Sequence, residues 1–426
     1  MSTDRPDNED ITATLRVALD AGRLDHQDSI VFHDLGLMQR RLRGLWRHLP
    51  DPVNHCLAVK ANPVVGVLRS AVECGAGLEC ASLEEVGLAL AAGCAPHKIV
   101  CDSPAKTVRD LEFLLERGIH LNADNFEELD RIGSLLGSDA PKGPIGVRVN
   151  PLVGSGAIAA TSVGDATSKF GIHLDEHEEQ VRRAFARWPW LTGLHVHVGS
   201  QGVTLDQLRR SVRAAVDLAD AIDAEAGDAR VTHLDVGGGL PTRYRSTDAP
   251  PSLDAYSEAI AEELERGDHR RIAVTELGRA VQAHCGFAVT RVEYVKRLES
   301  VRYAVVHLGA DFLMRPVYRP EDWHHEVFLT DASGNARTGP TSSWSIAGPL
   351  CFGGDVIARE RELPEPRPGD LLVIRDVGAY TLGLWSRHCS RGLPEVVGIE
   401  GGELNTLLPR ETPEDVVGFW EGTARA

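Results

Sequence analysis

Eight short runs of β-branched and apolar residues recur between residue 55 and about residue 290: CLAVK, GLECAS, KIVC, GIHLNAD, IGVRVN, GLHVHV, HLDVGGG and IAVTEL. Helix-like stretches separate them, among them SLEEVGLALAAG, SPAKTVRDLEFLLERG and NFEELDRIGSLLG. The first two open on Ser and all three end on Gly, which are start and stop signals for helices. Eight strand–helix units in succession predict a closed parallel (β/α)8 barrel. An open doubly wound sheet is the rival, but the first strand–helix turn carries no GxGxxG.

After about residue 290 the texture changes. RYAVVHL, HEVFLT, TSSWSIAGPL, DLLVIRDV and EVVGIEGG are strand-like and spaced by Gly, Pro and Asp turns, and helical pattern returns only in ETPEDVVGFWEG. This predicts a mostly β second domain of the sandwich or barrel-like kind. The expected division is an N-terminal tail over 1–28, the barrel over 29–290 and the β domain over 291–426. SIVFHDL, residues 29–35, is a lone strand and a candidate to join the β domain. The first ten residues are expected to be disordered. The Gly/Ala/Ser/Thr-rich loop PLVGSGAIAATSVGDATSKFG is long enough to suggest a functional segment.

A chain of 426 residues exceeds what one core usually serves. Its formal net charge of −17 argues against nucleic-acid and anionic-membrane partners. No run of about 18 apolar residues indicates a membrane span, and MSTDRPDNEDITATL lacks the pattern of a signal peptide. The eight cysteines form no CxxC pair and read as reduced thiols of a cytoplasmic protein. His195 and His197 share one face of a strand, but no further ligands are evident, so no metal is expected.

A (β/α)8 barrel collects its active site at the C-terminal ends of its strands. There stand Lys60, Glu79, Arg148 and Asn150, His197 and Ser200, the glycines 237 to 239, then Glu276 and Arg279. Each has a plain reading: Lys60 as a surface lysine, the glycines as a simple turn, Glu276 as a helix cap, His197 as a core histidine. Each also has a chemical one. A lysine desolvated in an apolar mouth forms an imine with a carbonyl. Glycines let backbone N–H groups approach a phosphate. A carboxylate facing a pyridine nitrogen keeps it protonated, and an imidazole laid on the ring fixes its tilt. Together they describe a site for pyridoxal phosphate.

The ordered set AVKAN, RVNP, SKFGI, HVHVGSQ, DVGGGLP, ELGRAVQAHCG, GPLCFGGD and GDLLVIRDVGAY resembles the ornithine/arginine/diaminopimelate decarboxylases of the alanine-racemase fold. The likeness runs from about residue 28 to 400 and is nearer the diaminopimelate branch. It implies that Lys60 binds pyridoxal phosphate covalently, that His197 stacks on its ring and that Glu276 pairs with its nitrogen. Ser200, Gly237, Gly238, Gly239, Gly278, Arg279 and Tyr380 would hold its phosphate. Cys351 would return a proton after CO2 leaves, acting in the partner's site of a homodimer. Arg279, Arg315, Tyr318, Phe352 and Asp355 make up the expected substrate set.

The departures concern the substrate. Where the diaminopimelate branch has a glutamate after the GPxC cysteine, and the ornithine branch an aspartate, this chain has Phe352. A ring cannot form the charge-assisted bond to a distal ammonium, worth about 1.5–3 kcal/mol. The RPxxY clamp becomes MRPVY, with Tyr318 one residue early, and His388-Cys389 stands where the family has an aromatic-Asn pair. The insertion YRPEDWHHEVF, carrying Trp323, His324 and His325, reads as a solvated loop. The resulting expectation is an amino-acid decarboxylase with altered distal specificity. The alternatives are a pyridoxal enzyme diverting the same carbanion to racemisation, elimination or C–C bond formation, and a non-catalytic pyridoxal-binding protein.

Overall fold

The computed structural model describes residues 5–49 and 51–423. The chain begins with α1 (Asn8–Asp20), β1 (Ser29–Asp34) and α2 (Leu35–Leu45). Nine strands follow, eight of them barrel strands that alternate with helices: β2 (Val53–Ala58), α3 (Val65–Glu73), β3 (Gly77–Cys80), α4 (Leu83–Ala91), β4 (Ile99–Asp102), α5 (Val108–Arg117), β5 (His120–Ala123), α6 (Phe126–Leu136), β6 (Ile145–Asn150), the two-residue β7 (Ile172–His173), α7 (Leu174–Arg187), β8 (Leu191–His195), α8 (Leu205–Ala226), β9 (His233–Asp235), α9 (Leu253–Leu264) and β10 (Ile272–Leu277). The order is β5-β4-β3-β2-β10-β9-β8-β6, every pairing is parallel, and β5 pairs with β6 to close the ring. The barrel read from the eight runs is therefore present, with one strand per run, and β7 is only an appendage on the end of β6.

The helices start and stop where local chemistry directs. Ser82 and Asn125 cap α4 and α6 through their side chains. In α5 the cap is Thr107, in a reciprocal box with Asp110, rather than the Ser103 suggested by the sequence. Gly118 ends that helix at a φ of 68°, a left-handed conformation that costs glycine little.

The contacts divide the chain into two units. The barrel unit is 39–242 with 249–281; the other comprises residues up to 38, 243–248 and from 282 onward. In the second unit, β11 (Gly286–Arg291), β12 (Tyr294–Arg297), β13 (Arg302–Val305), β14 (Val327–Thr330), β15 (Thr341–Ala347), β16 (Val356–Pro364), β17 (Leu371–Arg375), β18 (Glu395–Glu400) and β19 (Glu403–Leu408) join β1 in two sheets. One has the order β14-β17-β11-β1-β18-β19, the other β12-β13-β15-β16. The strand at 29–34 thus lies inside the β unit, between β11 and β18. So does β11, which the sequence pattern had assigned to the barrel.

Residues 1–4 of the expected N-terminal tail lie outside the described residues; from Arg5 onward the segment is not a tail. Asp7 and Asp10 form a capping box at the start of α1, and Ile11, Leu15 and Ala18 recur at helical spacing on one face. That face packs on Ile30, Phe32, Phe287, Leu371 and Val397 of the six-stranded sheet. Ile11 and Leu15 together fill a face that the sheet would otherwise expose to water. Among the described residues, no helix is long and apolar enough to cross a membrane. All eight cysteines are free, and Cys56, Cys80, Cys94, Cys101 and Cys285 are buried. Because Leu15 is wholly buried, Leu15→Ala is expected to cost about 2–5 kcal/mol in urea unfolding, with a lower midpoint and a preserved slope. A loss below about 0.5 kcal/mol, the usual range for surface positions, would mean that α1 is not part of the core.

Candidate active site in the barrel mouth

Because all eight strands are parallel, their C-terminal ends converge at one mouth. Lys60 stands there, but not as the last residue of a strand: β2 ends at Ala58 and Lys60 lies in the single 3₁₀ turn Val59–Ala61. Its Nζ donates to Glu79 Oε2, from β3. The Glu79 carboxyl is fully buried, and burial pushes its pKa up to about 8 against the pull of Lys60.

Beside this pair lies a second buried charge cluster. At the end of β8, His195 Nε2 is 3.3 Å from Asp102 Oδ2 and Nδ1 is 3.2 Å from Asp235 Oδ2. The same Nδ1 is 4.0 Å from Glu276 Oε1. Asn122 donates to Asp235 Oδ2 at 2.9 Å, the Gly237 N–H donates to Asp235 Oδ1 at 3.0 Å, and Arg148 stands 3.6 Å from Asp102. Burial works against charge on His195, but Asp235 and Asp102 outweigh it and hold the imidazole up at about 9. Burial likewise opposes ionisation of Asp102 and Asp235, yet His195 keeps both below the usual carboxylate range. Glu276 goes the other way: burial first, then the charges of Asp102, Asp235 and Glu79, push it well above its ordinary value. Its Oε1 is buried and meets no hydrogen-bond partner among the described residues. Asp102, His195 and Glu276 are close enough together to suggest a metal triad. An imidazole facing a carboxylate on each side is instead an ion-pair partner, since both ring nitrogens then carry protons.

His197 is of the opposite kind. The Gly238 N–H donates to its Nδ1 at 3.1 Å, so that nitrogen has no proton. Burial, then the charges of Arg148 and Lys60, push its pKa down to about 3, and the ring is neutral. The turn that supplies this N–H admits only glycine. A Cβ on Gly238 would lie 2.1 Å from the Glu276 carbonyl oxygen, and one on Gly239 2.3 Å from that of Gly199. Gly237 and Gly239 have φ values of 64° and 105°. Next to the turn, Arg279 Nε donates to Ser200 Oγ at 3.2 Å, with Gly278 immediately before it in the chain. The long loop 151–171 is stitched to the same region. The Ser200 N–H donates to Thr161 O at 3.0 Å, Val163 N–H to Val198 O at 3.2 Å, and Phe170 lies 4.6 Å below the Arg148 guanidinium.

The remaining expected residues belong to the β unit. The Arg315 guanidinium, at the start of α10 (Met314–Tyr318), lies 4.5 Å from the Trp323 ring centre and 4.4 Å from that of Tyr380. Tyr318 stacks on Phe352 at 5.9 Å and 6°, and Phe352 on His388 at 5.3 Å and 14°. Cys351 is exposed, and its N–H points to Cys389 Sγ at 3.5 Å. Asp355 does not fit the substrate set. It is buried, and its two carboxylate oxygens accept from the Ala310 and Leu350 N–H groups, both at 2.7 Å. That fixes a turn and leaves nothing facing a ligand. The insertion is not a solvated loop either: Trp323 and His325 are buried against Tyr244.

Sequence reasoning missed Asp102, Asp235 and Asn122. The signal for all three was a polar residue closing an apolar run, KIVCD, HLD and HLN, at the end where a barrel puts its chemistry.

Comparison with known proteins agrees with this geometry. Residues 35–283 match the family described as "Pyridoxal-dependent decarboxylase, pyridoxal binding domain". The diaminopimelate decarboxylase of Pseudomonas aeruginosa is 35% identical over 365 residues, 85% of either chain. That of Vibrio cholerae is 33% identical over 360 residues, 84% of this chain and 83% of its own. The crystal structure of diaminopimelate decarboxylase from Helicobacter pylori complexed with L-lysine matches with a TM-score of 0.83, covering 95% of this chain and 99% of that one; at 24% identity this likeness speaks for the fold.

The closeness of the glycine turn makes a direct prediction. Gly238→Ala must displace either the Glu276 backbone or the His197 contact. Titration of the apoprotein with pyridoxal phosphate is expected to show at least a tenfold weaker affinity, about 1.4 kcal/mol or more. Unchanged affinity would mean that the turn has no part in cofactor binding.

Proposed function

The chain belongs to the pyridoxal-dependent decarboxylases, near their diaminopimelate branch, and we propose that its substrate is an α-amino acid whose distal end is apolar or acidic rather than an ammonium. The enzyme is a carboxy-lyase that uses pyridoxal phosphate. The residues of the mouth fit that group: a lysine amine, a neutral imidazole, a glycine turn beside Ser200 and a buried carboxylate oxygen lacking a donor.

When bound, pyridoxal phosphate supplies a conjugated ring that takes up the electron pair left as CO2 departs. Lys60 would hold the cofactor through its amine. Glu276 would accept the hydrogen bond of the ring nitrogen, and the neutral His197 would pack on the ring without competing for charge. Ser200, Gly237 to Gly239, Gly278 and Arg279, with Tyr380, would hold the phosphate. Arg279 and Arg315 are the forks suited to a carboxylate on the substrate. Cys351 returns a proton to the α-carbon in the partner's site, so the active unit is a homodimer with two shared sites.

The observation that carries the altered specificity is Phe352. Its ring stacks with Tyr318 and His388, which puts aromatic surface where the branch has an acid. A distal ammonium brought there would lose water without gaining a counter-charge. Assaying CO2 release across an amino-acid panel is expected to show turnover of apolar or acidic substrates above that of diaminopimelate. In Phe352→Glu, kcat/KM for diaminopimelate should rise about tenfold or more, as one charge-assisted bond predicts. Efficient diaminopimelate turnover by the wild type would sink the specificity claim and leave the decarboxylase standing; no CO2 from any amino acid, with cofactor bound, would sink both.

The shared site has its own test. Lys60→Ala and Cys351→Ala are each expected to be nearly inactive. Mixed and allowed to exchange subunits, they should recover about a quarter of wild-type activity, because half the dimers then carry one intact site. No recovery despite demonstrated exchange would place both residues in the same subunit's site.

A further inference from the structure

We propose that His195 is a positioning residue that acts through Glu276: as a buried imidazolium facing Asp102, Asp235 and Glu276, it offsets the like charges around Glu276, so that in the holoenzyme Glu276 can be an anion opposite the cofactor's ring nitrogen and that nitrogen stays protonated. This rests on the reading of Glu276 as the partner of that nitrogen.

The argument begins with the number of carboxylates. Glu79, Asp102, Asp235 and Glu276 are all buried in one mouth. Three residues there are cationic in any ordinary state, Lys60, Arg148 and Arg279, and Arg279 Nε is turned to Ser200 Oγ. Lys60 is on Glu79, and the proposed reaction takes its amine away to the cofactor. Arg148 stands on Asp102. Without a further positive charge, Asp235 and Glu276 would face each other's field across a medium that screens poorly. The carboxyl that yields by taking a proton would be Glu276. Asp235 is fixed as an acceptor by the Asn122 amide and the Gly237 N–H, whereas Glu276 Oε1 has no such donor. A protonated Glu276 would donate a hydrogen bond where the ring nitrogen needs an acceptor, and the ring would lose its proton and with it much of its electron demand.

His195 is placed to prevent this. Its two nitrogens face carboxylate oxygens at 3.3 and 3.2 Å, from β4 and β9, and one of them also reaches to 4.0 Å from Glu276 on β10. Neither contact is a hydrogen bond, so the ring meets the two acids as an ion-pair partner: a neutral ring would turn a lone pair toward one of them, whereas a protonated ring is attracted to both. The other titratable groups around it come from β5, where His120 stands, from β6 with Arg148, from the turn after β2 with Lys60, and from its own segment with His197. His120 and His197 are both pushed down by burial and stay neutral, so neither replaces the charge. The barrel strands have in effect built a cation among the buried carboxylates, and no step of the proposed reaction uses it directly.

The test uses the holoenzyme loaded with pyridoxal phosphate carrying 15N at the ring nitrogen. In the wild type the 15N shift should report a protonated nitrogen at neutral pH; in His195→Gln it should move toward the unprotonated value. A second arm loads both proteins with the deaza analogue, in which carbon replaces that nitrogen. With the natural cofactor, His195→Gln should lower kcat about tenfold or more, the worth of one pKa unit at the ring. With the analogue, the two proteins should agree within about twofold, because there is no nitrogen left to protonate. An equal loss with both cofactors, or a protonated nitrogen in the variant, overturns the proposal and makes His195 a structural residue. If instead the wild type works as well with the analogue as with the natural cofactor, it is the reading of Glu276 that fails. Should the variant not fold, the wild-type holoenzyme decides alone: 15N-histidine spectra must show both His195 nitrogens protonated at neutral pH, and a neutral ring there ends the proposal.

Discussion

The hydrogen bonds between β5 and β6 close eight parallel strands into a ring, and that closure forces the chemistry of the molecule. A closed parallel barrel has no edge and sends all its strand ends to one place. Side chains from all eight strands or their following turns then meet there, and most of them are buried. A lone ionised group there would cost several kcal/mol. The observed solution is alternation: Lys60 on Glu79, Arg148 on Asp102, His195 between Asp102 and Asp235. Among the described residues of the mouth, Glu79 Oε1, Asp102 Oδ1 and Glu276 Oε1 are buried carboxylate oxygens left without a donor. Position and charge are thus a single constraint. The glycine turn belongs to it as well, since its N–H groups reach Asp235 and His197 only because no side chain intervenes.

Much of this was legible because parallel buried strands are written as apolar runs, and the barrel's eight were uninterrupted. Lys60, His197, the glycines and Glu276 could be placed at the mouth from strand order alone. What failed did so for identifiable reasons. The segment NEDITATL is polar in composition, which hid a helix whose Ile11, Leu15 and Ala18 were at the right spacing all along. Composition measures the whole surface of a helix, while docking needs one stripe. Lys60 was read as the last residue of a strand, yet the chain turns two residues earlier. Asp102 and Asp235 were passed over because a single acid after an apolar run usually marks a turn. Their partner lay on another strand, His195, and sequence order gives no measure of that proximity.

The departures from the family pattern gain meaning from the fold. Taken along the chain they are three unrelated events: a tyrosine one residue early, an aromatic in place of an acid, and a histidine–cysteine pair after GAY. In the β unit they meet. Tyr318, Phe352 and His388 form one row of near-parallel rings, and Cys389 touches the backbone of Cys351. Each ring contact is worth about 0.5–1.5 kcal/mol beyond the area it buries, so the row holds its members in register. The insertion carrying Trp323 is part of the same arrangement. It provides one of the two rings against the Arg315 guanidinium, with Tyr380 as the other. An arginine so held has the plane of its fork fixed by the two rings. Changes that look scattered therefore act on two neighbouring properties of one surface, its aromaticity and the aim of its cation.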